Sequence, residues 1–377
     1  MIKSCPVCKS NHNKFKKVFY SDKISKYNNQ YFNTLKKSIS ADCTKVNFVT
    51  CKKCTFLFNK SYKQLDYKIE YNANRSYSKK FEIYLDNVVK YLEKFIFKKN
   101  NINNILEIGF GDGIFLKKIN QLANYNFKKI AGYDPSYNKS KSKIKNIDLI
   151  KGYYTEKNFF NPDLIILRHT LEHISDVFSF IKKIVHEKPR FIFIEVPCAS
   201  FVYNNNFHFF SNEHCSYFDE YNIELLLKKF GYKKIKIKKD FNNENILSIF
   251  EKTSQKIQIT SKKINYKNKF KFNSFIKKIE KKINFNYDFL WGAAGKGVVL
   301  LNILNIDYKK CKYIIDINKE IKGKFLSRSG VKVIGPELIK KYLNKKSKIF
   351  IMNSLYKSEI TDILKKYKIS NKVYCLF

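Results

Sequence analysis

The chain has 377 residues, a length that allows two or three compact domains, each large enough to bury a core. Hydrophobic residues make up 44% of the chain and aromatic residues 16%, which is typical of a folded globular protein. No apolar run reaches the roughly 18 residues of a transmembrane helix, and the first residues leave no room for a secretory signal before the first cysteine. We therefore expect a cytoplasmic protein with no membrane contact.

The net charge of +42 comes from lysine spread along the whole chain. Arginine, the better bidentate partner for phosphate, is scarce. This pattern favours a compositional bias over a nucleic-acid-binding surface. It would still help to attract an anionic small substrate such as a nucleotide diphosphate.

Two Cys-x-x-Cys pairs stand near the N-terminus, separated by the 42 residues 9–50. The two-residue gap lets both thiolates of a pair face one ion, and two pairs complete a tetrahedral site for structural Zn²⁺. A redox role is the alternative, but neither pair opens a helix after a strand. We predict a small zinc-binding domain over residues 1–61, with an insertion between the pairs. The predicted ligands are Cys5, Cys8, Cys51 and Cys54.

Residues 62–252 alternate short β-rich apolar runs with helical patterns, which is typical of parallel βαβ units. The sequence therefore predicts a Rossmann-like α/β domain over this range. The predicted strands include 104–108, 129–133, 163–167 and 191–195.

The first of these strands runs into a glycine-rich turn that opens a helix, Glu107-x-Gly109-x-Gly111-x-Gly113. Glycines allow a sharp turn and a close approach of the backbone to a ligand, and the helix N-terminus offers free N–H groups. Asp134 ends the next strand, where its carboxylate can accept both hydroxyls of a ribose. This pattern resembles the first motif of class I methyltransferases more than the Gly-x-Gly-x-x-Gly of dehydrogenases. The resemblance implies S-adenosylmethionine as the cofactor, bound by Glu107, Gly109, Gly111, Gly113 and Asp134.

The strand at 163–167 leads into Arg168, His169 and, four residues further on, His173. This segment resembles the fourth-strand motif of the same superfamily, where the residues just past the strand line the cleft. Arg168 and His169 are therefore expected at the cofactor. On a helix, His169 and His173 would share a face and could hold a metal ion, but helix packing and hydrogen bonding explain them as well.

After a lysine-dense segment, 252–282, the βαβ pattern restarts at residue 287. Its glycine loop, Gly292–Gly297, contains Lys296 and could cradle phosphates through backbone N–H groups. A degenerate structural repeat of the first loop is the alternative. The sequence predicts a second, smaller Rossmann-like domain over residues 253–377.

Taken together, these features resemble the sugar C-methyltransferase family, whose members methylate nucleotide-linked keto-sugars. The resemblance covers most of the chain. The segments that carry it are the two cysteine pairs, the loop 107–113, Glu195-Val196-Pro197 followed by 207–218, and the loop 291–297 with its downstream residues 315–324.

The resemblance implies that Glu213 and His214 lie beside the sugar, with His214 acting as a base. Methylation of carbon next to a ketone needs a proton removed first, and an imidazole suits this at neutral pH. Glu213 would orient the imidazole. The family also uses a tyrosine upstream of the cofactor domain, for which Tyr77 is the best match and Tyr71 the second.

Two departures from the family bear on the substrate. Ser211 stands where the family has a tyrosine, and residues 243–247 replace its Gly-Gly-Ser-Leu strand. We therefore keep O- or N-methylation of another small molecule as an alternative. An RNA or protein methyltransferase and a non-catalytic cofactor-binding protein are further alternatives, disfavoured by the diffuse charge and by the intact cofactor motif. We expect a small-molecule substrate, no nucleic-acid partner, and a monomer or weak dimer.

Overall fold

The computed structural model describes residues 2–67, 77–138, 144–155, 160–203, 209–264 and 272–376. Three sheets organise this part of the chain, one antiparallel and two mainly parallel. No helix in these ranges is both long and apolar enough to cross a membrane.

The N-terminal elements are β1 (Phe15–Ser25), β2 (Tyr31–Phe32), α1 (Leu35–Ile39), β3 (Cys43–Cys51) and β4 (Leu57–Asn59). The central elements are α2 (Lys79–Phe95), β5 (Asn104–Ile108), α3 (Ile114–Asn120), β6 (Lys129–Asp134), β7 (Asp148–Lys151), β8 (Leu164–Arg168), α4 (Val177–Val185), β9 (Phe191–Pro197), α5 (Ala199–Tyr203), β10 (Ser216–Tyr217), α6 (Glu220–Lys228), β11 (Tyr232–Asp240) and β12 (Asn245–Lys252). The C-terminal elements are α7 (Phe272–Lys282), β13 (Phe289–Trp291), α8 (Gly295–Ile303), β14 (Tyr313–Ile315), β15 (Phe325–Leu326), β16 (Lys332–Ile334), β17 (Ile349–Ile351), α9 (Lys357–Lys366) and β18 (Val373–Cys375). Short 3₁₀ helices lie at His12–Lys14, Phe97–Lys99, Leu171–His173, Pro336–Lys341 and Ser354–Tyr356.

The central sheet has the order β7-β6-β5-β8-β9-β12-β11, with β12 antiparallel to both of its neighbours. The other pairs, from β7 to β9, are parallel. The inner strands β8 and β9 are buried on both faces, whereas the edge strands β7 and β11 are partly exposed. The chain order reverses between β5 and β8, so a crevice forms beyond their carboxyl ends. The predicted α/β fold class is confirmed.

The C-terminal sheet has the order β18-β17-β13-β14-β16-β15-β2 and is parallel from β18 to β16. It is the second doubly wound unit that the sequence predicts. Its last strand, β2, belongs to the N-terminal segment and pairs antiparallel with β15.

The N-terminal sheet also borrows a strand. Its order is β1-β3-β4-β10, all antiparallel, and β10 comes from the central region. A backbone hydrogen bond from Asn59 N–H to the Cys215 carbonyl (2.8 Å) extends this pairing. The segment before the first helix of the central unit is therefore tied to both Rossmann-like units.

One local prediction is wrong. His169 and His173 do not share a face of an α-helix, because only the 3₁₀ turn Leu171–His173 forms here. His169 precedes that turn in the left-handed region, at φ 49°. The two imidazoles consequently have different partners.

Candidate active site

The glycine loop after β5 has a backbone conformation that residues with a side chain rarely adopt. Gly109, Gly111 and Gly113 have φ of 81°, 64° and 78°, the left-handed region that favours glycine. A Cβ on Gly109 would also lie 2.3 Å from the Thr170 hydroxyl oxygen. The loop can therefore pass close to β8 and leave space above it.

Asp134, at the end of β6, fixes this loop. Its Oδ2 accepts the Gly111 N–H (2.8 Å), and its Oδ1 accepts the N–H and hydroxyl of Ser136 (2.8 and 2.6 Å). Each carboxylate oxygen offers two lone pairs, so acceptor capacity remains for a ligand.

A cavity of about 1470 Å³ lies over the carboxyl ends of the central strands. It brings together residues that the sequence analysis selected from four separate segments. They are Glu107, Gly109, Gly111, Asp134, Arg168, His169 and His214.

Glu107 is buried in the cavity floor at 1% exposure. Burial raises its pKa to about 8, against the lowering effect of the Arg168 charge. Its Oε2 has no hydrogen-bond partner among the described residues. A buried oxygen of this kind is costly unless a ligand supplies a donor.

Arg168 and His169 are held by a buried carboxylate that the sequence analysis did not select as a site residue. Arg168 Nε donates to Glu195 Oε2 (2.6 Å), and His169 Nε2 lies 3.0 Å from Glu195 Oε1. The Tyr84 hydroxyl donates to the same Oε1 (2.8 Å), and the Asn245 amide donates to Tyr84 (3.0 Å). Burial alone would lower the pKa of His169, but the neighbouring carboxylates raise it.

Asn245 belongs to the segment 243–247 that departs from the family pattern. Through Tyr84 and Glu195, it supports the residues that line the cavity. Its neighbour Glu244 accepts two hydrogen bonds from Lys296 Nζ (2.9 and 3.0 Å) and one from the Asn353 amide (2.8 Å). Lys296 is therefore an interdomain ion-pair partner. The loop N–H of Ala293 donates to Asp316 (2.8 Å) in the way that Gly111 donates to Asp134, which makes the second loop a structural repeat of the first.

Glu213 and His214 lie between the three sheets. The Glu213 carboxylate is 2% exposed and accepts the Asn28 N–H (3.0 Å) and the Asn29 side-chain amide (3.3 Å). Burial raises the pKa of Glu213 to about 8, although these donors lower it. The Asn29 side-chain oxygen also accepts the Gly295 N–H of the second loop (3.2 Å). The insertion between the cysteine pairs therefore holds the Glu213-His214 segment in place.

His214 faces the cavity beside a second histidine. Its ring centroid lies 5.0 Å from that of His173 in an edge-to-face arrangement, and Ser211 Oγ accepts the His214 backbone N–H (3.1 Å). His173 Nδ1 lies 2.9 Å from the Glu213 carbonyl oxygen and 2.9 Å from the Tyr67 hydroxyl. Ser211, at the position of the family's tyrosine, thus shapes the loop that carries His214.

Tyr77 lies beside Glu320 at the border of the C-terminal unit, and Glu320 lines the cavity. Burial and the Glu320 charge raise the pKa of Tyr77. Tyr71 lies outside the described residues. The sequence did not indicate Tyr67, whose hydroxyl contacts His173 Nδ1.

The four predicted cysteine ligands meet in one cluster. Their sulfur atoms lie within 4.8 Å of one another, with 3.5 Å between Cys5 and Cys54 and 3.6 Å between Cys8 and Cys51. These distances are far too long for disulfides and close to the roughly 3.8 Å between thiolates that share a tetrahedral zinc ion at 2.3 Å. The Ser10 hydroxyl lies 3.1 Å from Cys8 Sγ and 3.0 Å from Cys51 Sγ. The donor set therefore fits a four-thiolate metal site.

Comparison with known protein families decides the general activity. Residues 77–237 match the family described as Methyltransferase domain, and residues 261–373 match the family described as C-methyltransferase C-terminal domain. The protein is an S-adenosylmethionine-dependent methyltransferase. The resemblance of this methyltransferase to C-methyltransferases is thereby confirmed.

Solved structures similar to the methyltransferase each cover less than half of it. They include the PH0226 protein from Pyrococcus horikoshii OT3 (16% identity, 47% of this chain and 92% of that chain, TM-score 0.36). The N-methyltransferase NodS from Bradyrhizobium japonicum WM9 is 14% identical (44% and 95%, TM-score 0.34). The magnesium protoporphyrin IX methyltransferase from Synechocystis PCC 6803 with bound SAH is 12% identical (46% and 84%, TM-score 0.37). Likeness at this level carries no argument about the substrate. No curated protein sequence matches the chain.

Proposed function

We propose that the protein transfers a methyl group from S-adenosylmethionine to a carbon atom of a nucleotide-linked keto-sugar. The observation that carries the proposal is the position of His214, which faces the cavity that the cofactor loop lines. The C-methyltransferase C-terminal domain supports a carbon acceptor. A cavity of about 1470 Å³ has room for a cofactor and a nucleotide-linked substrate together.

The cofactor would occupy the part of the cavity above β5 and β6. Gly109, Gly111 and Gly113 let its amino-acid moiety approach the backbone, and Asp134 would accept its ribose hydroxyls. The partnerless Oε2 of buried Glu107 is a ready acceptor for a polar group of the cofactor. Arg168 and His169 would form the adjoining wall, held by Glu195.

In the proposed reaction, the protein's residues would accept one proton from the substrate. His214 would take a proton from the carbon next to the ketone, leaving an enolate. The enolate carbon would bond to the sulfonium methyl as the sulfur–methyl bond breaks, which gives S-adenosylhomocysteine. Glu213 would keep the His214 segment positioned through Asn28 and Asn29. Tyr77, beside Glu320, would contact the sugar from the side of the C-terminal unit.

Proton exchange tests this function directly. With the protein, a nucleotide-linked keto-deoxysugar in deuterated water should exchange the proton next to its ketone, because enolate formation is reversible until the methyl group is transferred. Mass spectrometry would measure the exchange, and NMR of the complete reaction would locate the new methyl group. The matched control is the His186→Gln variant, which alters an exposed histidine elsewhere and should exchange normally. A methyl group found on oxygen or nitrogen would contradict the proposal and favour the O- or N-methylation alternative.

Asp134→Ala should weaken S-adenosylmethionine binding by about 1–3 kcal/mol, or roughly 5–150-fold in Kd, because the ribose hydroxyls would lose a charged acceptor. Calorimetric titration of the purified variant measures this. Asp148→Ala, which removes an exposed carboxylate at the start of β7, should leave the Kd unchanged. Equal affinities in the two variants would place the cofactor elsewhere.

We also infer that the cysteine cluster holds one structural zinc ion. The four sulfur atoms surround a single point, and four thiolates leave no coordination position for a substrate or a water. The ion would fasten both ends of the insertion that carries Asn28 and Asn29. Its contribution to the active site is therefore indirect.

A further inference from the structure

A second group of metal-binding side chains lies in the cavity wall, far from the cysteines in sequence. A carboxylate oxygen of Glu172 and one nitrogen each of His173 and His214 lie within 4.8 Å of one another. All three residues line the cavity. Two imidazoles and one carboxylate are the donor set with which proteins hold Zn²⁺, Co²⁺ and Fe²⁺ at sites that keep open positions.

Glu172 supplies the strongest sign that a ligand belongs here. Its side chain is fully buried, and its Oε1 contacts His169 Nδ1 (3.1 Å). Its Oε2 has no hydrogen-bond partner among the described residues. A buried carboxylate oxygen without a partner is costly, and a cation would satisfy it.

His173 is fixed in the tautomer that a ligand needs. A carbonyl oxygen can only accept, so the contact between His173 Nδ1 and the Glu213 carbonyl requires the hydrogen to be on Nδ1. The lone pair is then on Nε2. Metal-binding histidines in proteins are typically oriented in this way, with the other ring nitrogen donating to a carbonyl or carboxylate.

We propose that Glu172, His173 and His214 bind a divalent transition-metal ion in the wall of the substrate cavity. Two ligand atoms about 2.1 Å from one ion are at most about 4.2 Å apart, so small side-chain rotations close the set around it. The remaining coordination positions face the cavity, where adjacent keto and hydroxyl oxygens of a substrate are suitable ligands. A nitrogen bound to the ion cannot accept a proton. The cation therefore inhibits the proposed reaction, a consequence that, unlike the site itself, rests on His214 being the base.

Cobalt(II) titration of the untagged protein, supplied with only the one equivalent of zinc that the cysteines take up, tests the site without any substrate. We expect one equivalent per chain, with weak visible absorption and no thiolate charge-transfer band in the near-ultraviolet, because the cysteines keep their zinc. Glu172→Gln and His173→Gln should each weaken cobalt binding by more than about 100-fold, the upper end of what loss of a supporting contact costs. His186→Gln should bind as the wild type does.

Thermal melting shows whether each variant still folds. If Glu172→Gln or His173→Gln does not fold, the cobalt affinity of the other variant tests the proposal. The proposal is overturned if the wild-type protein takes up no cobalt beyond the cysteine site, or if folded Glu172→Gln or His173→Gln binds as tightly as His186→Gln. Neither result depends on the carbon-methylation assay. The two proposals therefore fail separately.

Discussion

The His214→Ala variant should lose methyl transfer by about 10²–10⁴-fold, the usual cost of removing a general base. It should bind S-adenosylmethionine as the wild type does, because in the proposed arrangement the glycine loop and Asp134 would position the cofactor without it. Single-turnover kinetics with saturating cofactor measures the first quantity, and calorimetry measures the second. The variant should also lose the solvent exchange of the substrate proton.

The Glu213→Gln variant helps to distinguish two roles of His214, that of a base and that of a merely structural residue. Glutamine keeps one oxygen that can accept the Asn28 N–H, but its NH2 group replaces the oxygen that accepts from the Asn29 side chain. The segment should keep part of its anchoring, and the variant should lose less activity than His214→Ala. His186→Ala, the exposed control, should be fully active. Methyl transfer at the wild-type rate by His214→Ala would exclude it as the base.

Removing one of the proposed zinc ligands by Cys51→Ser should destabilise the whole N-terminal sheet. Cys51 ends β3, which pairs with both β1 and β4. The binding free energy of a structural zinc is folding free energy, about 10–16 kcal/mol in zinc-finger peptides at neutral pH. We expect loss of the bound zinc and a fall of several kcal/mol in the free energy of unfolding, measured by elemental analysis and denaturant titration.

Cys43→Ser is the matched control, because Cys43 is exposed and lies outside the cluster. It should keep one zinc ion per chain and the wild-type stability. A wild-type protein that contains no zinc when prepared without chelators would contradict the structural-zinc proposal. So would a Cys51→Ser variant as stable as the control.

The parts of the fold that follow from local pattern were predictable. Parallel strands such as 164–167 and 191–194 are continuous apolar runs in the sequence. A glycine loop after a short apolar strand, as at 104–113, has few alternative structures. The cysteine spacing likewise indicated the four-thiolate cluster.

The contacts that hold the Glu213-His214 segment were not predictable. Asn28 and Asn29 stand in an asparagine-rich chain, about 185 residues before the glutamate they bind, and nothing local distinguishes them. The Tyr84, Glu195 and Asn245 network depends on the side-by-side placement of β9 and β12, which only the sheet reveals. For Glu172 the signal was present, as a carboxylate next to His173. An α-helix would pair His173 with His169, but a 3₁₀ turn forms here and leaves Glu172 beside His173.

The borrowed strand β2 constrains the order in which the chain can fold during synthesis. Its partner β15 begins at Phe325, almost 300 residues after Phe32. The N-terminal sheet is likewise incomplete until β10, residues 216–217, has been synthesised. Long-range pairings of this kind are slow and leave unpaired edges exposed on incomplete chains. The insertion that holds Glu213 can therefore reach its final position only after residues 325–326 have been synthesised. A nascent chain consequently carries a complete glycine loop after β5 well before its candidate active site is complete.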